Sequence, residues 1–259
     1  MPGPIKTDGL ELLETTLHRI EPIDANWIAK AKERQLQLTK PPGSLGRLEG
    51  IANRLVAIQR TLAPAVEHPT IMLFAADHGV CAEGVSPYPQ EVTSQMVANF
   101  LRGGAAINSM ARAAGAELRI VDIGVADEVP HADGLICRRI AKGTKNFCEQ
   151  PAMTREQATA AVCVGIEVAS EANANGCTLL GIGDMGIGNS TTASALTAAL
   201  TGLPARSVVG RGTGADKSCM DRKISAVERA LALHQPSITD PIDMLAMLGG
   251  FEFGGMCGV

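Results

Sequence analysis

The run Gly183-Asp-Met-Gly-Ile-Gly-Asn-Ser-Thr-Thr192 sets three glycines directly before four hydrogen-bonding side chains. Gly183, Gly186 and Gly188 let the backbone approach a ligand closely. A helix opening behind them would offer unpaired N–H groups and the positive end of its dipole, a seat for a phosphate. Asn189, Ser190, Thr191 and Thr192 add side-chain donors. No lysine precedes the Ser-Thr pair, so this is not a Walker loop. The glycines from Gly181 onward are spaced two, three and two apart, which is not the dinucleotide fingerprint. An ordinary glycine turn with a Ser/Thr cap is the competing reading. Asp184 lies inside the run. A carboxylate beside a phosphate repels it, so Asp184 suits a ribose hydroxyl or the deprotonation of a nucleophile. Its competing role is a hydrogen bond to its own backbone.

A second flexible, anion-friendly turn is Gly210-Arg-Gly-Thr-Gly214, with Gly210 and Gly212 as its first two glycines. Lys223, in the following helix, could bring a fixed positive charge to it. The loop Glu83–Gln90 carries the only tyrosine, Tyr88, and could wall a flat heteroaromatic ligand; a rigid surface loop fits it equally well. Asp77-His78 ends an apolar run. Neighbouring strand residues point to opposite faces, so the two are not expected to chelate one ion. His18, His68, His131 and His234 have no ligand spacing, and no metal site is expected. A Ser-His-Asp hydrolase is not supported, because no nucleophile elbow is present.

These residues need strands and helices to hold them. Thr70–Ala76 and Glu117–Ile123 read as strands covered on both faces, as does Cys177–Ile182, which runs into the glycine turn. Ser207–Val209 reads as a short strand before the second turn, and 135–140 as another short one. Asp24 caps a helix towards Leu38, stopped by Pro41-Pro42-Gly43. Ser44 opens the next helix, with Leu48, Ile51, Leu55 and Ile58 on one face. Further helices are expected over 90–102, 104–114, from the Thr154/Gln157 capping box to about Asn175, from the glycine turn to Leu200, and over 216–233 and 240–248. Strands alternating with helices predict an α/β fold: a doubly wound, mainly parallel sheet with helices on both faces, plus a small helical part from the N-terminal helices. The division expected is 1–62 helical and 63–259 α/β and nucleotide-binding. Ligands of such sheets collect at the carboxyl ends of strands. The clusters after Ala76, Ile182 and Val209 all fall there, which makes this chain an enzyme candidate.

Composition narrows the classes. Hydrophobic residues are 46% of 259 and aromatics 3%, so the core is built of Ala, Val, Leu, Ile and Met. Net charge is −4 with no basic stripe, which disfavours nucleic acid as a partner. The cysteine count, seven, is odd and includes no CxxC pair, which fits a reducing, cytoplasmic setting rather than a disulfide framework. No apolar run is long enough to span a bilayer, and the N-terminus lacks a signal core.

Six ordered stretches together resemble one family. They are Lys40–Glu49, Ala76–Val80, Tyr88–Thr93, Gly181–Thr192, Val209–Gly214 and Gly249–Phe253. The sequence is identified by them, from about residue 24 to its end, as similar to the nicotinate-nucleotide–dimethylbenzimidazole phosphoribosyltransferases of cobalamin lower-ligand synthesis. That resemblance implies a pentosyl transfer from nicotinate mononucleotide to dimethylbenzimidazole, giving α-ribazole 5′-phosphate and nicotinate, with no metal or redox cofactor. It implies that the glycine turns hold the 5′-phosphate, with Lys223 near it, and that the loop around Tyr88 and Met96 borders the benzimidazole. It also implies a homodimer. Family members are longer, and their general-base glutamate lies in a C-terminal part with no match here. Asp184 stands where relatives often carry Glu, an acidic auxiliary. A shortened member of the family is therefore expected, ending at Val259 within what should continue as core. Two rivals remain: a weakly active or inactive relative that still binds the nucleotide, and a dinucleotide-dependent dehydrogenase, against which the missing acidic residue at the usual spacing speaks.

Overall fold

The computed structural model describes residues 9–129 and 132–259. Two compact units emerge, one formed by Glu14–Glu67 and the other by the residues on either side of it.

In the smaller unit, helix α2 (Ala25–Leu36) starts where Asp24 accepts a hydrogen bond from the Asn26 N–H. Helix α3 (Arg47–Gln59) packs against it through Asn53, Val56 and Ala57. The expected apolar face of α3 points the other way, with Leu48 62%, Ile51 52% and Ile58 61% exposed. The helix also starts later than Ser44. Gly43 and Gly46 adopt positive φ (77° and 56°) and turn the chain first. The half-buried pair Lys40 Nζ–Glu49 Oε1, at 2.6 Å, ties that turn to the helix.

Helix α1 (Gly9–Arg19) begins in the larger unit, where Leu12 and Leu13 meet the main core. The sheet there comprises β1 (Thr70–Ala76), β2 (Glu117–Gly124), β3 (Leu135–Cys137) and β4 (Leu180–Met185), in the order β3-β2-β1-β4. Every pairing is parallel. Met72, Phe74 and Ala76 point to one face of β1, and Leu73 and Ala75 to the other, as the pleat requires. The first face meets α6 (Arg155–Ala174), α10 (Pro241–Leu248) and α11 (Phe251–Gly258). The second meets α4 (Val92–Leu101) and α5 (Ala106–Ala113). A separate cluster joins α7 (Asn189–Thr201), the single-turn α8 (Ala205–Val208) and α9 (Lys217–His234). Helices thus cover both faces of the sheet.

Three local expectations need correction. β4 starts at Leu180 and continues through Gly183 and Asp184, so these two lie in the strand rather than in a loop. β4 is an edge strand, and Ile182 is 53% exposed rather than buried on both sides. Residues 207–209 form the end of α8 and its cap instead of a strand. Pro204 presets the entry to that turn, and the Val209 N–H donates to the Ala205 carbonyl at 2.9 Å. Helix α11 was unexpected, because Phe251–Gly258 is glycine-rich and weakly helical by propensity. Packing explains it. A Cβ at Gly165 would lie 2.0 Å from the Gly255 carbonyl oxygen, so α6 and α11 meet backbone to backbone.

The capping box of α6 is present as expected, with the Gln157 N–H donating to Thr154 Oγ1 and the Thr154 N–H to Gln157 Oε1. Thr154→Ala is therefore expected to cost about 1 kcal/mol, read as a lower urea midpoint with an unchanged slope.

Candidate active site

The carboxyl ends of β1 and β4 lie side by side, because Ala75 pairs with Met185. After Met185 the chain turns through Gly186 and Gly188 into α7. Gly188 sits at φ 99°, a conformation that favours glycine. Gly186 has no room for a side chain, since a Cβ would fall 2.2 Å from the Ala76 carbonyl oxygen. The turn is held from beneath. The Ile187 N–H donates to Thr93 Oγ1 at 3.1 Å, and the Cys81 thiol donates to the Ile187 carbonyl at 2.9 Å. Burial pushes the Cys81 thiol up to about 12, so it serves as packing and not as a nucleophile. The Asn189 N–H is taken by the Gly186 carbonyl. Among the described residues, the N–H groups of Gly188 and Ser190 have no acceptor.

These groups line a cleft at the carboxyl edge of the sheet. Val85, Ser86 and Pro87 form one wall, Arg211 and Thr213 another, and Lys223 closes it. Lys223 is only 1% exposed. Its ammonium donates to Ser190 Oγ and to the Gly210 carbonyl, both at 2.9 Å. Among the described residues no carboxylate pairs with it, and burial pushes its pKa down. A buried ammonium without a counter-ion, facing a cleft beside a helix N-terminus, fits an anion. Gly212, at φ 54°, passes so close that a Cβ would lie 2.9 Å from Ser190 Oγ and 3.3 Å from Lys223 Nζ.

The structure therefore brings together Gly186, Gly188, Asn189, Ser190, Gly210, Gly212 and Lys223. Thr191 is fully buried behind them, its hydroxyl unpartnered among the described residues. Asp184 reaches the group through Asn189, whose side-chain amide donates to its carboxylate at 2.5 Å. Gly183 stays one step back, in β4 opposite Leu73. Tyr88 is half-exposed and Met96 packs against the core under α4; neither lines the cleft.

Sequence reasoning missed a buried group below the turn. His78 Nδ1 lies 3.0 Å from Thr192 Oγ1, and its Nε2 lies 2.8 Å from Glu252 Oε1. Both His78 and Glu252 are essentially fully buried. Asp77 points elsewhere, accepting from the Ala126 N–H at 2.8 Å, and burial raises its pKa. The available signal was the polar Glu252 within an otherwise apolar Gly249–Phe253.

A parallel α/β sheet whose carboxyl edge offers free helix amides, glycine turns and a buried lysine defines an enzyme that handles phosphorylated small molecules. Comparison with known proteins makes this specific. The DBI_PRT family, described as Phosphoribosyltransferase, matches residues 20–259, and the chain belongs to it. Nicotinate-nucleotide–dimethylbenzimidazole phosphoribosyltransferase of Geobacter sulfurreducens is 50% identical over 250 residues, covering 96% of this chain and 71% of that protein. The enzyme of the same name from Chloroflexus aggregans is also 50% identical, with the same coverage. The crystal structure of CobT from Thermus thermophilus superposes with a TM-score of 0.86 at 51% identity, covering 90% of this chain and 70% of that one.

Proposed function

We propose that this chain is a pentosyltransferase that moves the phosphoribosyl group of nicotinate mononucleotide to dimethylbenzimidazole, releasing nicotinate and α-ribazole 5′-phosphate. The relatives named for this reaction, half identical over 96% of the chain, support the substrates. The observation that carries the reading is the cleft itself, which Gly188, Ser190 and Lys223 line together, the amides of Gly188 and Ser190 having no backbone acceptor among the described residues. They would receive the 5′-phosphate, with Gly210 and Gly212 letting the second turn close over it. Asn189 and Asp184 would contact the ribose, and Thr191 would support the turn. The azole nitrogen attacks the anomeric carbon as its bond to the pyridinium nitrogen breaks. That electron pair neutralises the pyridine ring, and the azole N–H gives up its proton to solvent water. Holding both reactants in line provides much of the acceleration. Tyr88 and Met96 belong to the segments that would border the benzimidazole side. The nucleotide work falls to the α/β part within residues 63–259.

We further infer a cytoplasmic homodimer. All seven cysteines are free, and among the described residues no helix is long and apolar enough to cross a membrane. The exposed row Leu48, Ile51 and Ile58 gives a second copy an apolar surface. Light scattering should return twice the 26.9 kDa chain mass; a monomer at micromolar concentration would contradict it.

The test of function is nicotinate release from nicotinate mononucleotide. It should require added dimethylbenzimidazole and yield α-ribazole 5′-phosphate in equal amount. Release without the azole, or nucleotide binding without release, would contradict the reading.

A further inference from the structure

The buried His78–Glu252 pair lies outside the cleft, yet it touches what the cleft is made of. Thr192, 3.0 Å from His78 Nδ1, belongs to the first turn of α7. A Cβ built on Gly186 would lie 3.0 Å from His78 Nε2, so the imidazole sits directly behind the glycine turn. On its other side is Glu252, in the first turn of α11. Neither oxygen of Glu252 has a well-aligned hydrogen bond among the described residues. A fully buried carboxylate in that state needs a cation against it. Among the described residues, the titratable groups facing His78 are all acids: Glu252 from α11, Asp77 from the end of β1 and Asp184 from β4. Gly250 leaves the space the pair needs, since a Cβ there would lie 2.5 Å from the Glu252 carboxylate and 2.6 Å from the His78 ring.

We propose that His78 is a positioning residue of the nucleotide site: as an imidazolium held between Glu252 and Thr192, it fixes the first turn of α7 behind the Gly186–Gly188 turn. Burial alone would drive the ring neutral, but the attraction of Glu252, with Asp77 and Asp184 behind it, raises its pKa. The charge never meets the substrate. It acts through the backbone it supports. The inference rests on the reading of the cleft as a phosphate seat.

Two measurements test it. In the wild-type protein, nitrogen-15 spectra of the histidine rings, with His78 assigned by its loss in His78→Gln, should show a doubly protonated ring at neutral pH. In Glu252→Gln the ring loses its counter-ion, so burial should return it to the neutral form at neutral pH. The variant's Kd for nicotinate mononucleotide should then exceed that of the wild type by about tenfold at neutral pH, while kcat at saturation changes far less. A neutral His78 ring in the wild type overturns the inference even if the variant fails to fold. An unchanged Kd in a Glu252→Gln protein whose His78 ring is neutral also overturns it. Failure of the wild type to bind the nucleotide at any pH overturns the reading of the cleft, and the inference falls with it.

Discussion

Lys223→Met is expected to lower kcat/KM for nicotinate mononucleotide by about 100-fold, roughly 2.7 kcal/mol of transition-state stabilisation. The ammonium is buried, has no carboxylate partner among the described residues and holds both Ser190 and Gly210. A charge-assisted hydrogen bond to an anion contributes about 1.5–3 kcal/mol, and the disordering of two glycine turns adds to its loss. Methionine preserves the volume, so the defect should lie in binding more than in folding. The discriminating control is nicotinate riboside, which lacks the phosphate. Its smaller kcat/KM should hardly change in the variant. Equal losses for both substrates would make Lys223 a purely structural residue. The depressed pKa adds a pH signature. Burial favours the neutral amine, so nucleotide binding should weaken on the alkaline side below the usual lysine value of about 10.4. In Lys223→Met that alkaline limb should vanish.

Gly186→Ala is expected to destabilise the protein by about 3 kcal/mol and to abolish nucleotide binding. The added methyl would lie 2.2 Å from the Ala76 carbonyl oxygen and 3.0 Å from the His78 ring. A strand-end carbonyl cannot move aside as a side chain can, so the turn itself must shift. For a chain of this size the melting temperature should fall by roughly 6–12 °C. Gly210→Ala meets nothing within 4 Å and should melt as the wild type does. A Gly186→Ala protein with unchanged melting would show that the two strand ends are less tightly joined than described.

Sequence and structure agree where one signal dominates. Thr70–Ala76 is a continuous apolar run, Glu117–Gly124 carries Leu118, Ile120, Val121 and Ile123, and the two form the central strands. Asp24 and Thr154 carry the cap signals and start their helices. The glycine run was legible as a turn into a helix because its donors follow its glycines directly. Its boundary was not legible. Gly183 and Asp184 join β4 because β1 offers them a ladder, which no local pattern shows. The outward face of α3 was also hidden, since Leu48 and Ile51 look like core in any one-helix projection. Helix α11 depends on glycines meeting α6, a tertiary fact that propensity opposes. The His78–Glu252 pair joins residues far apart in the chain, and only the crossing of α11 behind β1 brings them together. Lys223 was legible as a cation near the second turn, but its burial was not.

The most direct test of the account is a crystal structure with nicotinate mononucleotide bound. Its phosphate should accept hydrogen bonds from the N–H groups of Gly188 and Ser190 and from Lys223 Nζ, with the ribose towards Asn189. A nucleotide whose phosphate lies elsewhere, leaving those two amides turned to water, would contradict it.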